Sequence, residues 1–381
     1  ELFGAGFEAD AELIWDAGGD EQSLTPSSVE AERIVATLTS DLLGAAGVIP
    51  IAVEQNPGGR CVAIDFFIGR ALPDTGQTTC YDGAAETSCP AEGEEYYGQD
   101  AQFGWDLHVT SAERFERGEP VAGEPVVLDR ITRLEWQGCP YGQSGSGCAD
   151  GFLTMTSWYE AVDHCEALDW GGHDDWELPG VVALSGIVDS GLDNPVVDPA
   201  VFPFTWAGRF WTSTTREDDE YDAWYVDFET GDVDNWSKAE SYFGCARCVR
   251  GASPRSGTLE RSVVLEQPLV RDTATGLCWQ GCVAGRSGES CEDGSASLHG
   301  WQSALEHCEA SSFGGFEDWR LPSLAELHSL VDYGADGLAI DVSAFLHTPS
   351  SPHCTSTSLA GDPTEVWYVE FVDGTVGHRS K

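Results

Sequence analysis

Residues 126–229 and 269–372 carry one pattern twice, at a constant offset of 143 positions and without a gap. Trp136, Cys139, Cys148, Trp158, Cys165, Asp175, Trp176, Pro179, Asp189, Asp198, Ser213 and Trp224 return as Trp279, Cys282, Cys291, Trp301, Cys308, Asp318, Trp319, Pro322, Asp332, Asp341, Ser356 and Trp367. A solenoid repeats every ~20–50 residues; a register held this long means two tandem copies of one domain. Shared positions report the fold. Positions that differ are where the copies can hold separate jobs.

The charge narrows the partners. Sixty-five Asp and Glu against 19 Lys and Arg give −46, and only Lys238 and Lys381 are lysines. Such a surface repels nucleic acid and anionic lipid, and favours divalent cations, basic partners or a salty medium. Apolar content of 41% is that of a globular chain. Thirteen cysteines at patterned spacings, with no haem or zinc-knuckle signature, read as a disulfide framework made in an oxidising compartment. The opening at Glu1, without a signal-peptide pattern, is expected of a mature product of an exported precursor. The longest nearly apolar run, Leu42 to Val53, is too short and too broken by Gly and Pro to span a bilayer. The expected place is extracellular, without membrane insertion.

Residues 1–68 alternate short β-type runs with turn signals such as Gly18-Gly19-Asp20 and Asn56-Pro57-Gly58-Gly59, the spacing of a small antiparallel sandwich. Phe3-Gly4-Ala5-Gly6-Phe7, Leu13-Ile14-Trp15, Arg33-Ile34-Val35-Ala36 and Asn56-Pro57-Gly58-Gly59 resemble the IPT/TIG family of immunoglobulin-like domains. That resemblance implies a spacer or protein-contact module. In the family a first strand precedes the glycine–aromatic motif; here almost nothing precedes Phe3. Residues 69–119 are turn-rich and read as a linker stapled by Cys80–Cys89.

Each copy, 120–252 and 262–381, follows one plan. A strand leads to a Gly/Ser-rich loop bracketed by cysteines, expected as Cys139–Cys148 and Cys282–Cys291. Trp158, Ala161, Val162, Cys165 and Leu168 recur at steps of three and four, the buried face of a helix. Thr154 is the expected N-cap near that helix, and Ser323 with Glu326 fits a capping box for a second short helix in copy two. An aspartate-rich loop follows, then a hairpin that turns at 229–232 in copy one.

The ordered set W-Q-G-C, helix with cysteine, D-W-[ER]-L-P, W-T-S-T, A-W-Y-V-D-F and Arg247-Cys248-Val249-Arg250 resembles the Lcl-type C-terminal domain, related to C-type-lectin-like folds. The resemblance implies a compact α+β domain used for attachment on bacterial surfaces. The sulphated glycosaminoglycan bound by the best-known member does not transfer, because sulphate needs Lys and Arg and this surface is acidic. The family pattern implies a Cys165–Cys248 bond. In copy two the equivalents of Cys245 and Cys248 would fall at 388 and 391, past Lys381, so its last strand is expected to be missing. Copy two gains Cys278 and Cys354, which suggests that they pair; Cys61, Cys245 and Cys308 are left over.

Two candidate sites remain. Asp189, Asp193, Asn194 and Asp198, echoed by Asp332, Asp336 and Asp341, give the oxygen-rich loops that Ca²⁺ uses, or a solvated, turn-forming connection. Trp206, Trp211, Tyr221, Trp236, Tyr242 and Phe243 lack counterparts in copy two and are candidates for an exposed ligand-binding face, for stacking on sugars or anchoring a protein, against ordinary packing. His164 and His307 beside Cys165 and Cys308 suggest a Cys–His pair, but neighbours on a helix point apart. No P-loop, G-x-S-x-G or H-E-x-x-H motif occurs. The expected fold is an Ig-like β-sandwich followed by two tandem C-type-lectin-like α+β domains, disulfide-stapled. The expected function is non-enzymatic adhesion or ligand recognition, with Ca²⁺ as the one candidate cofactor. The alternative is a structural subunit of an extracellular filament, joined head-to-tail by strand or domain complementation.

Overall fold

The computed structural model describes residues 72–103, 110–251 and 258–381 in full, and of residues 1–71 only the strand segments. The chain divides into two units: residues 1–71 with 255–260 and 271–279, and residues 72–254 with 261–270 and 280–381. In the first, Leu2–Phe3, Ser28–Glu30 and Arg33–Val35 form one antiparallel sheet. Glu12–Asp16, Glu21–Leu24, Gly47–Gln55, Gly59–Arg60 and Ile64–Ile68 form another. The Gly4-to-Phe7 motif, Leu42-Leu43 and Cys61 lie outside the described residues.

The protein is β-rich, with short helices and disulfides. Copy one runs Phe115–Val121 (β1), Glu124–Asp129 (β2), Glu135–Gln137 (β3), Trp158–Glu166 (α1), Val181–Ser185 (α2), Arg209–Arg216 (β4), Asp219–Asp227 (β5), Val233–Ser237 (β6) and Val249–Arg250 (β7). Copy two runs Leu259–Val264 (β8), Gln267–Asp272 (β9), Cys278–Gln280 (β10), Trp301–Glu309 (α3), Leu324–His328 (α4), His353–Ser358 (β11), Glu365–Val369 (β12) and Val376–Ser380 (β13). Strands β1-β2-β3-β7 make one sheet, and the matching sheet of copy two is β8-β9-β10.

Local chemistry explains the helix starts. Ser157, not Thr154, caps α1. Glu160 lies three residues on and closes a capping box with it, whereas the Thr154 hydroxyl is turned to the Phe152 carbonyl. Ala161 and Cys165, one turn apart, are buried. Ser323 and Glu326 close the expected box on α4. Glu326 also takes a two-pronged ion pair from Arg320, at 2.7 and 2.5 Å.

The two copies share one six-stranded sheet, in the order β4-β5-β6-β13-β12-β11. The joint is Val233 opposite Val376, residues at equivalent positions (233 + 143 = 376). Equivalent residues meet again where Ser185 Oγ lies 3.4 Å from His328 Nδ1. Each copy therefore presents the same surface to the other, as in an isologous dimer whose two halves lie on one chain. Trp224 packs edge-on to Tyr333 across the joint, with centroids 4.9 Å apart. Gly231, at φ +92°, lies so close to Trp367 that a Cβ would meet its ring at 2.9 Å. A small cavity of about 50 Å³ sits near this axis, between Val182 and Ser185 of one copy and Ala325 and His328 of the other.

Residues 72–103, drawn from sequence as a linker, pack into this tandem body. Gln77 Nε2 donates to the carbonyls of Ser190 and Ser358, one in each copy. Asp100 Oδ2 accepts from Thr75 and from Thr357 of copy two, at 2.7 and 2.6 Å. Tyr96 packs on Trp301, with centroids 5.8 Å apart. The two lysines obey the pseudo-symmetry (238 + 143 = 381). Lys238 Nζ lies 4.5 Å over the Trp158 ring, and Lys381 Nζ 4.0 Å over Trp301.

Candidate functional site

Four disulfides are formed among the described residues: Cys80–Cys89, Cys139–Cys148, Cys165–Cys248 and Cys282–Cys291. Cys278–Cys354 is not one of them. Cys278 stands exposed on β10, whereas Cys354 packs with Cys308 against the Trp301–Leu305 core. Cys245 is buried, and burial pushes its thiol up to about 12. Since Cys248 is bonded to Cys165, Cys245-x-x-Cys248 is not a redox pair. His164 stacks on Tyr141 at 3.6 Å between centroids, and burial lowers its pKa to about 4.

The matches in both copies now follow from geometry: helix on sheet, cysteine-bracketed loop and hairpin. The profile of the Lcl C-terminal domain fits residues 125–250 and again residues 268–381. The chain belongs to that family. No curated protein matches it.

The first Lcl domain carries the exposed aromatic candidates, and the structure sorts them. Trp211 is fully buried and Phe243 is 8% exposed, so neither belongs to an open face. Trp211 Nε1 donates to the Thr156 carbonyl, and its ring packs on Phe243 at 5.0 Å. A Trp on the helix-facing side of β4 gains more from burial than a loop could return. Trp206 is half-buried and folds over Gly208, where a Cβ would come within 2.5 Å of its ring.

Tyr221, Trp236 and Tyr242 remain outside, 68%, 49% and 78% exposed. Trp236 stacks on Phe243 at 5.2 Å with the rings 3° from parallel, and Arg209 covers Phe243 at 4.7 Å. The run Trp211–Phe243–Trp236 therefore leads from core to surface and holds the outer indole on a fixed base. Ala223 of β5 pairs with Trp236 of β6, so Tyr221, two residues before Ala223, lies on the same face. Carboxylates of Asp219, Glu220, Asp222, Asp234 and Glu240 flank this patch in sequence. In the second Lcl domain Tyr221 and Trp236 are replaced by Thr364 and Arg379.

The aspartate loops are shaped by their own hydrogen bonds. Asp189 Oδ1 accepts from Gly191 N, Asp198 Oδ1 from Ala200 N, Asp332 Oδ1 from Gly334 N, and Asp341 Oδ1 from Ser343. Burial raises the Asp189 carboxyl to about 6, and its place under Gly76 ties the loop to the 72–103 segment. Asp193 lies beside Gly361, and the Asn194–Pro195 peptide is cis. Among the described residues no three His, Cys, Asp or Glu side chains converge on one point, so Asp189, Asp193, Asn194 and Asp198, and likewise Asp332, Asp336 and Asp341, do not meet as a cluster. No helix among the described residues is long and apolar enough to cross a membrane, and the disulfides mark an oxidising environment.

Sequence reasoning missed Asp100. It is fully buried, it joins residues 72–103 to copy two, and burial raises its carboxyl to about 7. The only signal was a lone Gln-Asp-Ala-Gln in a polar, turn-rich stretch.

Proposed function

We propose that this protein is an exported, non-enzymatic recognition protein of a bacterial surface, and that the first Lcl domain contacts the ligand through Tyr221, Trp236 and Tyr242. The observation that carries the reading is the Trp236–Phe243 stack: an exposed indole held rigid from beneath, in one copy and not in the other. Rigid, exposed aromatics bind with little entropy to lose, and they suit sugar rings or the apolar parts of a protein. The acidic surroundings favour neutral or basic ligands over sulphated ones. In this reading the Lcl domains follow a C-type-lectin-like plan, and residues 1–68 are an IPT/TIG-like spacer.

Binding of the wild type and of Trp236→Ala to a glycan array and to extracellular-matrix proteins tests it. A ligand held by the wild type and lost in Trp236→Ala supports the reading. A ligand held equally by both moves the site elsewhere.

The second reading, a filament subunit, rests on the β6–β13 joint, where two domains of this family add edge to edge. Negative-stain electron microscopy of unreduced protein separates the two, since a filament subunit forms open head-to-tail assemblies and an adhesin discrete particles.

A further inference from the structure

The helix cysteine recurs in both Lcl domains, but what faces it does not. In copy one Cys165 is bonded to Cys248, and the buried Trp211 of β4 belongs to the same core cluster. In copy two Cys308 holds the matching place on α3, and the residue matching Trp211 is Cys354 of β11 (211 + 143 = 354).

The helix is set on the strand in the same way in both copies. Trp158 Nε1 donates to the Thr212 carbonyl at 2.7 Å, and Trp301 Nε1 to the Thr355 carbonyl at 3.0 Å. With the helix fixed at that height, exchanging an indole for a thiol brings a second cysteine to the core beneath α3. Both thiols pack, partly buried, against Trp301, Ala304, Leu305, Leu321 and Val366. They also sense each other. Burial is the main reason the Cys308 thiol rises to about 12, and the neighbouring Cys354 is the next.

We propose that Cys308 and Cys354 form a cross-linking site, which closes in an oxidising medium to a disulfide that ties α3 to β11. The same helix cysteine thus takes a different partner in each copy: the residue that leads into β7 in copy one, and the edge strand β11 in copy two. The oxidant is a disulfide, small or protein-borne. The thiolate of one cysteine attacks it and releases half as a thiol, and the second cysteine displaces the other half. Two S–H bonds and the oxidant's S–S bond are lost, one new S–S bond forms, and the two protons pass to the oxidant, which ends as two thiols. Because thiolate is the attacking form and burial suppresses it, closure is slow at neutral pH and quickens as pH rises. Tyr96 packs against the same cluster, so loosening residues 72–103 quickens it too.

The test is peptide mapping of the full chain secreted into an oxidising compartment. Free thiols are alkylated in denaturant without reductant, and the chain is cleaved after glutamate, which separates Cys291 from Cys308 at Glu292 and Glu306. The expected result is a Cys308 peptide joined to the Cys354 peptide. It is lost in Cys354→Ser, where Cys308 becomes alkylated. Either cysteine joined to another one, such as Cys278, overturns the proposal. So does alkylation of both in wild-type protein after exhaustive exposure to oxidised glutathione. The wild-type map decides the matter whether or not the variant folds.

Discussion

Replacing Asp100 by Asn should make the tandem body less sensitive to alkaline pH. Asp100 is fully buried and accepts hydroxyl hydrogen bonds from Thr75 and Thr357 through one oxygen. Burial, then the charge of Asp74, raises its carboxyl from 3.8 to about 7, with the Thr357 and Thr75 hydroxyls working against the rise. A carboxyl raised in the folded state holds its proton more tightly there than when unfolded. Its stabilisation is therefore full below pH 3.8 and is lost as pH climbs through 7. At 1.36 kcal/mol per pH unit the rise from 3.8 to about 7 amounts to about 4 kcal/mol in all, more than half of it falling between pH 5 and pH 8. Asn keeps one acceptor oxygen and cannot titrate. Urea unfolding followed by tryptophan fluorescence, at pH 5 and pH 8, reads the difference. Wild type should lose about 2–3 kcal/mol more than Asp100→Asn over that interval. Parallel losses would refute an Asp100 that is protonated in the fold at pH 5.

Other outcomes follow from the same contacts. Removing Cys165–Cys248, which spans 83 residues, should cost about 4.5 kcal/mol by loop entropy, against about 2.6 for the 9-residue Cys139–Cys148, in denaturant melts of the double-alanine variants; equal costs would defeat the loop argument. Gly231→Ala places a Cβ at 2.9 Å from Trp367 in a left-handed backbone, and should lower stability by about 2–3 kcal/mol, visible as a reduced Tm. Lys381→Ala removes the cation over Trp301 and should cost about 1 kcal/mol, with a change in tryptophan emission that Arg379→Ala does not reproduce. Trp236→Ala, on a half-exposed ring, should leave the urea midpoint nearly unchanged, so that any lost binding is local.

Much of each Lcl domain was legible because its causes are local or repeated. Ser323 and Glu326 declare a cap by their spacing, and cysteines nine residues apart can bridge a single loop. The aromatic candidates were only half legible. Tyr221 and Trp236 share the face of the sheet that carries Trp211, yet they stand exposed while Trp211, equally unmatched in copy two, is buried. Which of two unmatched tryptophans meets solvent depends on the layer packed above each strand, and α1 and Phe243 cover Trp211. Cys354 misled for a related reason. Its arrival together with Cys278 suggested a bond between them, whereas the fold seats it beside Cys308 on another element.

The 143-residue register by itself determined that there are two copies, where their helices and hairpins lie, and which cysteines staple their loops, since these rest on interactions within a copy. Only the tertiary structure decided that the copies meet edge to edge through Val233 and Val376, and that residues 72–103 fasten both. Those contacts join residues hundreds of positions apart, such as Asp100 and Thr357, through single hydrogen bonds and close approaches. Such pairings leave no periodicity in the chain; they are selected when the fold brings their partners together and removes water from between them.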